Sequence, residues 1–290
     1  MRSASFHKLL IGLSLLASMA FSCTEIIDIE LGSTYQRLVV YGTVSEDSLH
    51  HQVQLSLSSD YFSNAPSPKI TGALVELETG GRMIPCSEHD TIPGLYLTDE
   101  AFRGVPEQNY AIRISQLDVN GDGAGEIYSA QSRMPSGAIL DSIKVTYFQS
   151  PFVSGYQVFM YALDPPERNW YSFKIWKNQD LLTDTLSKYF IQSDDFFNGT
   201  YIFGLPVGFL IDDEPREAAR PGDTITFELN AIDQAYYNFI AEAQLEIAGN
   251  NPLFSGPPAN VSTNIDNGAQ GIFTAYSVQR VSLVIPEETQ

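Results

Sequence analysis

The sequence is poor in cysteine, in positive charge and in long apolar runs. It has two cysteines, Cys23 and Cys86, in 290 residues. One bridge is then the maximum, and a disulfide-stapled scaffold is excluded. Lys and Arg number 16 against 35 Asp and Glu, a formal charge of −19. A chain of that sign is repelled by nucleic acid and by anionic lipid, so we expect no nucleic-acid partner. Beyond residue 21 no apolar run approaches the roughly 20 residues that a membrane-spanning helix needs. Four histidines occur, His7, His50, His51 and His89, none of them in an H-E-x-x-H pattern. G-x-S-x-G, C-x-x-C and Walker-type phosphate loops are also missing, as are repeats and low-complexity tracts. Asp194–Asp195 and Asp212–Asp213–Glu214 sit beside turn residues. They read as solvated loops in a chain rich in acids, and not as the carboxylate pair of a glycosidase. We expect no enzymatic activity.

What is present begins with a leader. Arg2, His7 and Lys8 are basic, and Leu9 to Phe21 is an apolar stretch too short to span a bilayer comfortably. Ala20, Phe21 and Ser22 then precede Cys23. That order resembles a bacterial lipoprotein box, with Ala20 where leucine is usual. The resemblance implies that residues 1–22 are a signal peptide, that Cys23 is diacylated (diacylglycerol and palmitate), and that residues 23–34 are a tether. Two or three acyl chains hold a protein firmly to a membrane, where one binds marginally. Competing uses are an ordinary cleaved signal peptide, or a Cys23–Cys86 disulfide that would join the leader to the middle of a domain. Cys86 itself reads as a half-buried small hydrophobe. Loss of Arg2 and Lys8 takes the charge of the remaining 268 residues to −21.

The remainder has β periodicity. Short β-rich runs fall at 37–44, 51–59, 73–79, 94–99, 109–115 and 126–134. In the second, Val53, Leu55 and Leu57 alternate with Gln52, Gln54 and Ser56, the period of a half-buried strand. Further runs follow at 138–148, 156–164, 169–178, 188–212 and 223–232, with closing strands after 270. One segment differs: Tyr236, Phe239, Ile240, Ala243 and Ile247 recur at helical spacing behind an N-cap candidate, Asp233. The expected fold is therefore mainly β, with two antiparallel β-sandwich-like domains at 35–135 and 136–290. The second carries one amphipathic helix at about 233–248.

Three groups of residues carry site candidates. Asp118, Asn120 and Asp122, with Gly123 following and Glu126 at the ninth position, match the first half of a calcium loop. Ser129 stands where the bidentate Glu belongs, and the flanks read as strands. A plain hairpin turn built on Asn-Gly and Asp-Gly is the expectation, and a weak calcium site the alternative. In 169–176, Tyr171, Phe173 and Ile175 share one face and Trp170, Lys174 and Trp176 the other. The first face reads as core. Trp170 and Trp176 make the second a candidate ligand-binding surface or domain interface. His50–His51 beside Asp47 reads as a solvated loop, since neighbours on an extended chain point to opposite sides. The sequons at Asn198 and Asn260 read as turns.

Two resemblances extend this. "ITGALVEL", "PGLYLTD" and "NYAIRIS" (70–115) look like strands of a transthyretin-like or carboxypeptidase-regulatory-like sandwich, which implies the fold of the N-terminal half. "CTEIIDIEL", "LVVYGTV", "VQLSLSSDYFS", "SAQSRMP" and "LDSIKV" occur in a particular order along the chain. "DPPERNWYSFKI", "GDTITFEL" and "NPLFSGPPANVSTNIDNGAQGIFTAYSV" continue it. That order resembles the Bacteroidetes outer-membrane lipoproteins of domain-of-unknown-function family 4249. The resemblance implies an envelope protein held to the outer membrane through Cys23, a binding or accessory component of nutrient uptake that works with a TonB-dependent receptor. The alternative is a structural or adhesive surface protein, steadied by calcium. Glu25, Asp28 and Glu30 are interleaved with isoleucines and leave the membrane face open. If Cys23 carries the lipid, Cys23→Ser should release the protein into the soluble fraction or leave it unprocessed. Unchanged fractionation and mass would refute the anchor.

Overall fold

The computed structural model describes residues 36–59, 65–119, 121, 123, 125–249 and 261–287. The expected signal segment, Cys23 and the tether lie outside them. Fifteen strands follow in chain order: β1 (Leu38–Ser45), β2 (Gln52–Leu57), β3 (Leu74–Thr79), β4 (Arg82–Glu88), β5 (Leu95–Thr98), β6 (Asn109–Leu117), β7 (Glu126–Arg133) and β8 (Ile139–Gln149). They continue with β9 (Ser154–Leu163), β10 (Trp170–Lys177), β11 (Asp180–Leu181), β12 (Phe190–Ser193), β13 (Tyr201–Ile211), β14 (Thr224–Ile232) and β15 (Gln270–Val284). The single α-helix among the described residues, α1 (Gln234–Ala248), starts where expected: the Asp233 carboxylate accepts from the Tyr236 N–H at 2.8 Å. The fold is mainly β, as the alternation implies.

One large sheet runs in the order β11-β10-β14-β15-β1-β2-β5-β4-β3-β6-β7, with β12 also pairing β10; a second sheet has the order β13-β9-β8. Every registered pairing is antiparallel except β1 with β15, which is parallel. β15 is shared lengthwise: Gln270–Tyr276 pair β1, and Ser277–Val284 pair β14. Around its first half, β1–β7 curl over a core of Leu38, Val40, Leu55, Leu77, Tyr96, Ile112, Ile114 and Phe273. There β7 meets the end of the curl through side chains. The Asp266 carboxylate accepts from Ser129 N–H and Oγ–H, both at 2.6 Å, and the Ala275 N–H donates to Ser132 Oγ at 2.9 Å. Around its second half, β10 and β14 pack against β8, β9 and β13 over Val158, Met160, Phe173, Phe227 and Leu229. Each such fully buried side chain is worth roughly 1.5–3 kcal/mol of transfer free energy. The core changes across residue 136, from Met134 in the first to Ala138 in the second. The large sheet continues across that point, and Ile265, Ala269, Phe273 and Ala275 return to the first core.

Some local readings need correction. β4 falls outside the β-rich runs read from the sequence, and it contains Pro85. The proline is tolerated opposite Glu76, and its carbonyl accepts from the Asp99 N–H. Cys86 is buried here, and burial pushes its thiol up to about 12, so it is inert packing. His51 is buried as well. Its Nε2 bonds the Phe102 carbonyl at 3.0 Å, and desolvation lowers its pKa to about 4. On α1, Tyr236, Ile240 and Ala243 are covered, whereas Ile247 is exposed.

The parallel seam places a strict demand on one backbone position. Gly271 has φ +100, and a Cβ there would lie 1.9 Å from the Val40 carbonyl oxygen. The clash is with backbone, so nothing flexible can yield. Gly271→Ala should therefore cost several kcal/mol in denaturant unfolding or abolish soluble expression. A cost under about 1 kcal/mol would show that β1 and β15 do not pair this way.

Candidate functional site

The face of β10 that carries the two tryptophans is the face on which α1 packs. Tyr171, Phe173 and Ile175 point into the second core, as the alternation predicts. Trp170 packs with Ile232, Tyr236, Ile240 and Ile272 beneath the helix, and the Arg168 guanidinium lies 5.3 Å over its ring. Trp176 is half-buried with Arg280 5.9 Å over its ring. Ser172 and Lys174 lie between them, and in-register neighbours on β14 and β15 extend one polar surface across the sheet.

That surface holds a buried ion network. Glu228, 1% exposed, bonds Lys174 Nζ at 3.2 Å and Arg280 Nε at 2.6 Å. Arg280 also reaches Asp47 in a two-point contact, 2.7 Å at each oxygen. The bidentate guanidinium holds the Asp47 carboxyl below its ordinary range. Lys174 Nζ lies 5.3 Å over the Tyr276 ring, and the hydroxyls of Tyr41 and Tyr236 are 3.1 Å apart. Burial raises the pKa of Tyr41, Tyr189, Tyr236 and Tyr276. The side-chain amide of Asn230 and the hydroxyl of Thr274 are buried in the sheet without a hydrogen-bond partner among the described residues.

An open cleft of ≈ 570 Å³ lies at the N-terminal end of α1, lined by Trp170, Arg168, Asn169, Arg133, Glu107 and Asp233 among others. Its charges are mostly spoken for. Arg133 pairs Glu107 at 2.5 Å, Arg168 pairs Asp195 at 3.0 Å, and Asp233 caps α1 and accepts from the Ser132 hydroxyl. Asp194, read as solvated, is fully buried. One of its oxygens accepts from the Asn169 N–H at 2.6 Å, and burial raises its pKa.

The acidic loop is closed by its own backbone. Asp118 accepts from Gly121 N–H at 2.8 Å and Gly123 N–H at 2.9 Å, both glycines having φ near +75 to +79. Glu126 accepts from the Val119 N–H at 2.8 Å and the Tyr128 hydroxyl at 3.0 Å. Asn120 and Asp122 lie outside the described residues. Among the described residues no group of three His, Cys, Asp or Glu could hold a metal ion.

A surface that sequence reasoning missed is the outer face of the three-stranded sheet. Register places Ile139, Leu163 and Tyr201 in one row, Tyr161 and Phe203 in the next, then Phe159 and Pro206, all pointing away from the core. Phe203 is 81% exposed and Ile139 63%. Two charged side chains interrupt this face, Lys144 at a paired position and Asp141 at the β8 bulge, whose carboxylate accepts from the Tyr201 hydroxyl at 2.9 Å. An antiparallel sheet with a solvated face normally alternates apolar-in with polar-out. Here "FMYAL" and "YIFGL" are apolar on both sides, and that loss of alternation was the available signal.

Fold and surfaces together define a mainly β protein offering open clefts and an apolar sheet face. The chain belongs to the family described as Domain of unknown function (DUF4249), whose model matches residues 24–282. No curated protein matches it.

The ion network gives a direct test of burial. Glu228→Gln leaves Lys174 without its charge partner and should cost about 3–5 kcal/mol. Arg82→Gln, at the exposed Arg82–Glu100 pair, should cost under about 1 kcal/mol. Equal costs in urea unfolding would show that the Glu228 network is solvated.

Proposed function

We propose that this protein is a lipid-anchored envelope protein held to the outer membrane through Cys23. It acts as a non-catalytic binding or accessory component of nutrient uptake and works beside a TonB-dependent receptor. The observation that carries a partner-binding role is the exposed aromatic face of β8, β9 and β13. Contiguous exposed apolar surface is costly on a soluble monomer and is characteristic of interaction sites. Phe203, Tyr161, Tyr201 and Phe159 supply rigid aromatic contact area of the kind that dominates interface energetics. The buried neutral His51 and the inert Cys86 thiol are packed into the core and offer no reactive group at a surface, which supports binding over chemistry.

The full chain, purified from detergent-solubilised outer membrane, should bring down a barrel receptor. Phe203→Glu combined with Leu163→Glu should lower that recovery at least about tenfold, equivalent to about 1.4 kcal/mol. The melting temperature should stay within about 2 °C, since both side chains are exposed. A receptor recovered equally with the double variant would place the contact elsewhere. Recovery of no receptor at all would overturn the reading.

A further inference from the structure

Two irregularities face one another across the second sandwich, and together they leave a slot in its edge. On one side, the free edge of β10 is covered in two pieces: β12 pairs Trp170–Phe173 and β11 pairs Trp176–Lys177. Ile175 lies between the pieces, where the segment after β11 closes it: its N–H bonds the Thr183 hydroxyl at 3.1 Å and its carbonyl accepts from the Leu182 N–H at 2.8 Å. On the other side, β13 is bulged, with its register against β9 shifted between Pro206 and Gly208. Bulges of this kind re-aim side chains and recur beside functional sites. A Cβ at Gly208 would lie 2.2 Å from Ile175 Cδ1, so the two elements approach as closely as they do because this residue has no side chain.

The slot between them measures ≈ 220 Å³. Its walls are Phe173, Ile175, Leu182, Phe190, Val207 and Leu210. An apolar cavity of about 150 Å³ with comparable walls holds benzene, so this one has room for a larger aromatic or branched-alkyl group. Polar side chains stand at the mouth. Lys188 Nζ and Glu217 Oε1 are 3.8 Å apart, and Lys188 is 42% exposed at its side chain. At that separation the contact is weak, so Lys188 can turn to another group, while Glu217, 21% exposed at its side chain and accepting from the Ile211 N–H at 3.5 Å, stays fixed at the mouth.

We propose that the slot is a binding site for a zwitterionic small molecule with an apolar tail, the chemistry of a hydrophobic α-amino acid. The tail enters between the sheets, the ligand carboxylate meets Lys188, and its ammonium meets Glu217. A purely anionic head is disfavoured: it would sit against Glu217 on a chain of charge −19. A mouth with one charge of each sign, less than 4 Å apart, matches two opposite charges borne on one carbon. This deepens the binding-component reading by naming a ligand class, and its test needs no receptor, so the two can fail separately.

Titration calorimetry on the purified full chain, with L-phenylalanine and L-leucine as probes and toluene and phenylacetate as controls, decides the matter. Phenylalanine should bind at least about tenfold more tightly than phenylacetate. Lys188→Gln should weaken phenylalanine about tenfold and leave toluene unchanged. Gly208→Ala pushes the Ile175 methyl into the slot and should weaken both. Should that variant melt early, Lys188→Gln, which alters an exposed side chain, still carries the test. Absence of phenylalanine and leucine binding at 10 mM, on the order of the weakest affinity worth measuring, overturns the proposal. So does binding unaffected by Lys188→Gln, or tighter binding of phenylacetate.

Discussion

The structure depends on one strand being shared by two cores. β15 runs for 15 residues; its first half pairs β1 and its second half pairs β14. Ala275 and Phe273 point into the first core, while Val281 and Leu283 pack against the second. Neither half can complete its sheet without the other's share of the strand. The parallel partner β1 lies at the opposite end of the described chain, so this seam forms only after most of the sequence has been brought together. Such long-range closure is entropically late and slow.

The ion network works on the same strand. Arg280 of β15 reaches Glu228 on β14 and Asp47 beyond the end of β1, fastening one position of β15 to both of its neighbours. A slip of one residue would turn Arg280 toward the apolar core and Val281 toward the polar face, an exchange that burial of a guanidinium among hydrocarbons forbids. The network therefore specifies register, while apolar burial on the opposite face supplies most of the driving force. Asn230 and Thr274, buried without side-chain partners among the described residues, are a cost carried by this polar face.

Surfaces suited to binding arise where ideal sheet construction lapses. β13 is bulged twice and loses its alternation, β10 has a split edge, and the outer face of β8–β9–β13 is aromatic where water would favour polar groups.

What could be read from the sequence was local. Alternation in 52–57 and 109–114 reports the backbone period and gave those strands. Asp233 capping a run of Tyr236, Ile240 and Ala243 gave the helix, because a cap and a 3.6-residue stripe are short-range signals. The Tyr171–Phe173–Ile175 face was legible as core for the same reason. Strand β4 was hidden by Pro85, and the burial of His51 and Asp194 was hidden because their neighbours in sequence look polar. The sequence cannot state which strands become neighbours. The parallel β1–β15 seam, the helix laid over Trp170, the outward aromatic face and the slot between Ile175 and Gly208 all join residues far apart in the chain. They exist because sheet register, set by the sum of many distant side-chain contacts, decides which of two equivalent strand faces meets the core.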